Sequence, residues 1–99
     1  MAPGVFRRRV AARIQTARLR LGITQEEAAE RAGLVPRFYA DIERSRRNPS
    51  LETMYVVARA LRVAVADLVD IGMGPRVDLD HVVVVRLRPG PKPKPRRRQ

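Results

Sequence analysis

The 99-residue chain carries 21 Lys and Arg against 10 Asp and Glu, a formal net charge of +11. This length suits one small domain with a modest core, and the basic excess favours a polyanionic partner such as DNA, RNA or an anionic membrane surface. The absence of cysteine excludes disulfides and thiolate metal sites, and the short apolar runs exclude a transmembrane helix, so we expect a cytoplasmic protein without membrane association.

The first two predicted helices lie on either side of a short turn. Residues 6–21 carry apolar side chains at helical spacing, which predicts an amphipathic helix whose inner face holds Val10, Ile14, Ala17 and Leu21. A second helix over 24–32 begins at Thr24, which forms a capping-box pattern with Glu27. It ends at Gly33, because a glycine adopts positive φ most easily.

The third predicted helix, residues 36–44, begins with a proline. Pro36 suits the first helical position, where its missing N–H costs nothing. At about 100° per residue, the inner side of this helix is apolar, with Phe38, Tyr39 and Ile42. The opposite side carries Arg37, Ala40 and Arg44, flanked by Pro36 and Asp41.

Two further helices complete the predicted domain, residues 6–71. A basic turn over 45–49 leads to a fourth helix that begins after Ser50, a favourable N-cap residue. Its expected core positions are Leu51, Met54, Val57, Ala58 and Leu61. A short fifth helix is expected over 65–69.

The last third of the chain differs in character. Residues 72–99 hold a net charge of +6, more than half of the total. Residues 72–76 are expected to be a linker, residues 77–88 alternate like a β-strand, and residues 89–99 form a basic, proline-rich tail expected to be disordered and to add non-specific DNA affinity.

The predicted strand is complementary in charge to a second copy of itself. With two antiparallel copies centred on Val83, each Asp faces an Arg and the valines face each other. We therefore expect an intermolecular ribbon that makes a homodimer, with these residues at the pairing surface: Asp78, Asp80, Val82, Val83, Val84, Arg86 and Arg88. The alternatives are pairing with a different protein, or folding back on the domain.

Residues 14–68 resemble the Xre/Cro-type helix-turn-helix family. The resemblance rests on Arg18, on "GITQEEAAERAG" at 22–33, on "DIER" at 41–44 and on "RNPSLE" at 47–52. It implies an all-α, five-helix, lambda-repressor-like domain that binds double-stranded DNA, with the third helix in the major groove.

The resemblance also implies roles for individual residues. Arg18 and Glu43 match the family's pair between helix 1 and the end of helix 3; a purely structural role for the pair is the alternative. The phosphate contacts that the resemblance implies are Gln25, Arg18, Arg44, Arg46, Arg47 and Asn48.

The third helix, which the resemblance places in the major groove, departs from the family pattern at the positions where bases are usually read. Val35 replaces a usual Ser or Thr cap, Pro36 occupies the first polar reading position, and Ala40 replaces a usual Ser. Base reading is therefore assigned mainly to Arg37 for guanine and to Asp41 for cytosine N4, with apolar contacts from Val35, Pro36 and Ala40. Modest sequence specificity and a steep salt dependence follow.

These features predict a prokaryotic or phage transcriptional regulator, active as a dimer on a two-fold operator. The alternative is an antitoxin or adaptor whose helix-turn-helix domain autoregulates its operon while the C-terminal strand binds a partner protein. No cofactor, metal site or catalytic residues are expected, since the chain has no Cys, one His and no glycine-rich phosphate loop.

Overall fold

The computed structural model describes residues 1–72, and every regular element within them is an α-helix. The helices are α1 (Pro3–Leu21), α2 (Gln25–Ala32), α3 (Pro36–Glu43), α4 (Leu51–Ala60) and α5 (Val65–Val69). The predicted five-helix domain is confirmed. Apart from Gly72, the predicted linker, the strand over 77–88 and the tail over 89–99 lie outside the described residues.

The helix ends follow the local chemistry of the sequence. The side chain of Thr24 caps α2 by accepting a hydrogen bond from the Glu27 amide at 3.1 Å, and Ser50 caps α4 in the same way. The α2 helix ends at Gly33, whose φ of 71° is in the left-handed region. The α1 helix begins at Pro3, three residues before the predicted start at Phe6, because proline at the first helical position supplies a start that apolar periodicity does not reveal.

The core lies where the five helices meet. Three small residues on α2, Ala28, Ala29 and Ala32, are buried and let α3 and α4 pack closely on either side. The largest fully buried side chains come from the other four helices: Ile14, Tyr39, Ile42, Val57 and Leu68. The inner side of α3 is thus part of the core, and its position is set by this packing.

The prediction that Leu51 belongs to the core is wrong, because 76% of the residue is exposed. Leu51 is the first residue of α4, where no helix covers it. At about 100° per residue it lies on the same side of α4 as the buried Ala58, so its exposure comes from its place at the end of the helix and not from its angle.

A buried ion pair joins α1 to the C-terminal end of α3. The Arg18 guanidinium contacts the Glu43 carboxylate through Nε at 2.7 Å and Nη2 at 3.1 Å, and their side chains are only 11% and 2% exposed. Arg18 Nη1 also donates to the Ile23 carbonyl at 2.9 Å, and Gln25 Nε2 donates to Glu43 Oε1 at 3.2 Å. One carboxylate therefore contacts side chains from α1 and α2.

The surroundings of Glu43 change the pKa values of this cluster. Burial alone would raise the pKa of Glu43, but the hydrogen bonds from Arg18 and Gln25 lower it below its usual range. The hydrogen bond to Glu43 raises the pKa of Arg18, although burial opposes this. The pKa of the Tyr39 phenol is raised well above its ordinary value, mainly because burial disfavours the phenolate.

We expect Glu43→Gln to destabilise the domain at neutral pH by about 3 kcal/mol, because Arg18 would keep its charge in a buried site without a counterion. Since the folded-state pKa of Glu43 is below its unfolded value, its contribution is present above about pH 4.3 and is lost as the pH falls through the folded pKa. Urea unfolding from pH 7 to pH 3 should therefore show a smaller difference between wild type and variant as the pH falls.

Glu30→Gln is the matched control, because it removes the same charge from an exposed position on α2. It should change the free energy of unfolding by less than about 0.5 kcal/mol. A Glu43→Gln variant as stable as this control at pH 7 would contradict the structural importance of the pair.

Candidate nucleic-acid interface

The turn between α2 and α3 exposes the beginning of α3 while the helix itself is anchored in the core. Tyr39 and Ile42 are buried at 0% and 2% exposure, and they fix the inner side of the helix. Val35 precedes the helix in an extended conformation and makes no side-chain cap hydrogen bond. The residues at the N-terminal end of α3, from Val35 to Arg37, form an exposed surface.

Three of the five predicted base-reading residues lie together on this surface. Val35 is 68% exposed, the Arg37 side chain is 80% exposed, and Pro36 between them is exposed as well. Ala40 is half-buried one turn further along. Their contact with bases stays a prediction, but the first three are accessible to a large partner.

Asp41 occupies a different environment from the other four. The residue is only 8% exposed, and its carboxylate lies between two arginines. Oδ1 is 3.8 Å from Arg37 Nε and Oδ2 is 3.9 Å from Arg47 Nε. The Arg47 guanidinium also lies over the ring of Phe38, 5.5 Å from its centroid. Helical periodicity placed Asp41 at the border of the outward side but did not show these arginines around it.

The loop between α3 and α4 carries most of the predicted phosphate contacts. Arg44 follows α3 as its C-cap residue, and Arg46, Arg47 and Asn48 are all exposed. Ser45 has a φ of 59°, in the left-handed region that glycine adopts most easily. Within this loop, Arg47 contacts α3 through the Asp41 carboxylate and the Phe38 ring.

Arg18 and Gln25 differ from these loop residues because both are engaged inside the protein. All three Arg18 nitrogens donate to Glu43 or to the Ile23 carbonyl, and the Gln25 amide donates to Glu43. Phosphate contact by either residue stays a prediction, and the contacts in the structure orient α1, α2 and α3.

The structure adds a cation that sequence reasoning missed. Arg7 Nε donates to Ser45 Oγ at 3.3 Å, and Arg7 lines a shallow cleft together with Asn48 and Pro49. Two features of the sequence could have indicated Arg7. It belongs to the arginine run at 7–9, and its spacing from Ala11, Ile14 and Arg18 places it on the same side of α1 as these buried residues. The cationic surface around the loop is thus wider than the motif alone indicates.

Other kinds of site find no support in the part of the chain that the structure describes. Residues 1–72 hold no group of three or more side chains suited to a metal ion. Over the same range, no helix combines the length and apolar character needed to span a bilayer.

Residues 14–68 match the protein family described as "Helix-turn-helix". The chain is 44% identical over 48 residues to the "Uncharacterized HTH-type transcriptional regulator y4dJ" of Sinorhizobium fredii, covering 48% of this chain and 62% of that protein. It is 45% identical over 60 residues to the "Immunity repressor protein" of Bacillus phage phi105, covering 61% and 42%. Both matches span less than two thirds of the relative.

Solved structures agree with this assignment. The restriction-modification controller protein C.AhdI from Aeromonas hydrophila superposes with a TM-score of 0.60 at 30% identity, covering 62% of this chain and 92% of that one. The clp gene regulator ClgR from Corynebacterium glutamicum gives a TM-score of 0.61 at 32% identity, covering 64% and 82%. The resemblance seen in the sequence is confirmed: the chain belongs to the helix-turn-helix family of the Xre/Cro type.

Proposed function

We propose that this protein is a transcriptional regulator of a prokaryote or phage that binds double-stranded DNA with α3 in the major groove. The observation that carries the proposal is the exposed start of α3, fixed from behind by the core and flanked by the cationic loop that follows the helix. The relatives named as a phage immunity repressor and as gene regulators support it, and they favour a regulator over an enzyme.

Phosphate contacts account for most of the affinity in this proposal. Arg44, Arg46, Arg47 and Asn48 face the backbone from the loop in this proposal, and the N-terminal amides of α2 add further donors. Arg18 and Gln25 belong to the proposed phosphate contacts as well, and their hydrogen bonds to Glu43 orient the helices. Because each neutralised phosphate releases counterions, binding should weaken steeply with salt.

Base reading in this proposal depends mainly on Arg37, the outward polar side chain nearest the start of α3. A guanidinium matches the O6 and N7 acceptors of guanine. Val35, Pro36 and Ala40 offer apolar surface, which suits a thymine methyl group. With so few hydrogen-bonding readers, sequence discrimination should be modest for a single domain.

We further propose a homodimer paired through residues 77–88, which would place two copies of α3 on a two-fold operator. The support comes from the charge pattern of the sequence, since antiparallel pairing centred on Val83 would bring Asp80 of one copy opposite Arg86 of the other. An adaptor that offers the same segment to a different protein is the alternative, and exchanging these charges distinguishes the two.

Arg37→Ala should remove a preference for guanine at one position of each half-site, at a cost of about 1–3 kcal/mol for the preferred sequence. Selection of binding sites from random duplexes, repeated with the variant, measures this. Arg31→Ala removes the same charge from the last turn of α2 and should leave the selected sequence unchanged. Identical selected sequences for wild type and Arg37→Ala would contradict the assignment.

Arg46→Ala should weaken binding to all duplexes by a similar factor, because a phosphate contact carries no base information. The slope of log K against log salt concentration should become shallower by about 0.9, the value for one phosphate. Titrations of a selected and a scrambled duplex at several salt concentrations provide both quantities. A loss confined to the selected duplex would instead assign Arg46 to base reading.

A charge swap tests the dimer. Asp80→Arg should place two arginines opposite each other and lower the dimer fraction, whereas adding Arg86→Asp in the same chain restores opposite charges and should recover it. Sedimentation over a range of protein concentrations measures the fraction. A dimer fraction that neither variant changes would contradict pairing through this segment and favour the adaptor. So would a monomeric wild type that co-purifies with another protein through this segment.

A further inference from the structure

The carboxylate of Asp41 has surroundings that neither the core nor the family pattern accounts for. Oδ1 is buried and has no hydrogen-bond partner within residues 1–72, and the whole side chain is only 12% exposed. A buried polar atom without a partner is destabilising, so its presence calls for a physical reason. The reason has to be sought in the charged groups that surround it.

Two arginines flank this carboxylate from different parts of the chain. Arg37 lies one turn earlier on α3, and Arg47 comes from the loop after it. Both nitrogen–oxygen distances, 3.8 and 3.9 Å, are too long for hydrogen bonds but short enough for electrostatic attraction. Asp41 therefore attracts both guanidinium groups without using up their N–H donors.

The two arginines remain available to a partner. Their side chains are 80% and 56% exposed for Arg37 and Arg47 respectively. Arg47 is further restrained by the ring of Phe38, over which its guanidinium lies. The four side chains form a cluster, here called the α3 arginine cluster: Arg37, Phe38, Asp41 and Arg47.

We propose that Asp41 is a positioning residue that holds Arg37 and Arg47 side by side for reading acceptor-rich base edges, such as neighbouring guanines. This inference rests on the proposed DNA-binding function and deepens it by moving Arg47 from the phosphate contacts proposed above to the reading surface. Asp41 acts through the arginines, since Oδ1 is buried and the carboxylate has little exposed surface to offer a cytosine amino group.

Two physical effects make such a carboxylate favour specific over non-specific binding. Restraining the arginines before binding lowers the entropy lost when they engage a matching site. On a non-matching site the arginines find no suitable base acceptors, while the repulsion between Asp41 and the phosphates remains. The negative charge therefore weakens binding to such sites. Removing the charge should therefore raise affinity for unrelated DNA and reduce the advantage of the preferred site.

The test compares wild type with Asp41→Asn, which keeps the size of the side chain and removes its charge. Affinities are measured for a duplex selected by the wild type and for a scrambled duplex of equal length, at two salt concentrations. We expect the scrambled duplex to bind several-fold more tightly, the ratio of the two affinities to fall about tenfold, and the salt dependence to steepen. Glu30→Gln, with the same charge change outside the cluster, should alter neither ratio nor preference.

A second comparison separates positioning from direct reading. If Asp41 acts through the arginines, Asp41→Asn should have no further effect on base preference in the Arg37→Ala/Arg47→Ala background. A loss of cytosine preference that persists in that background would overturn the proposal and support direct reading. Asp41→Ala and thermal unfolding of every variant identify any effect that comes from lost stability.

The remaining outcomes distinguish the inference from the function on which it rests. If the wild type discriminates between the duplexes and both Asp41→Asn and Asp41→Ala discriminate equally well, only the positioning role is overturned. A wild type that binds both duplexes equally overturns the proposed sequence-specific function, and the inference with it.

Discussion

The buried pair between Arg18 and Glu43 is the contact on which the placement of α3 depends. The helix has eight residues and no side-chain cap at its start, and a helix this short is not stable in isolation. Its position has to come from tertiary contacts. The apolar residues of its inner side fix its depth in the core, while the carboxylate at its last position ties it to α1 and, through Gln25, to α2.

A buried ion pair is a weak source of net stability, because removing two charges from water offsets most of their attraction. Its value here is geometric. The guanidinium of Arg18 meets Glu43 with two parallel hydrogen bonds, and such a fork tolerates little rotation. Since α3 ends at this contact, any rotation of the helix would also turn Arg37 away from its present direction. The pair therefore links the interior of the domain to the orientation of the exposed surface.

Local chemistry in the sequence was sufficient to predict the five helices, because Thr24, Ser50 and the glycines act within one turn of the chain. What the sequence did not reveal depends on the surroundings that distant segments provide or fail to provide. Leu51 fits the apolar pattern of α4, but nothing packs over the start of that helix. Asp41 lies at the border of the outward side by periodicity, yet Arg47 from the following loop changes its environment. Arg7 was missed for the same reason, because the residue that its side chain contacts, Ser45, is 38 positions away in the sequence.

Asp41 and Glu43 together show how a short helix is made into a directed surface. They are two residues apart, about 200° around the helix, so one faces the loop arginine while the other faces α1 and α2. Both lie in the last turn of α3, where the helix dipole disfavours negative charge. The dipole therefore favours neither carboxylate, and each is compensated by an arginine from another segment: Arg18 for Glu43 and Arg47 for Asp41. The first pairing orients the helix, and the second orients side chains on the helix once its position is fixed.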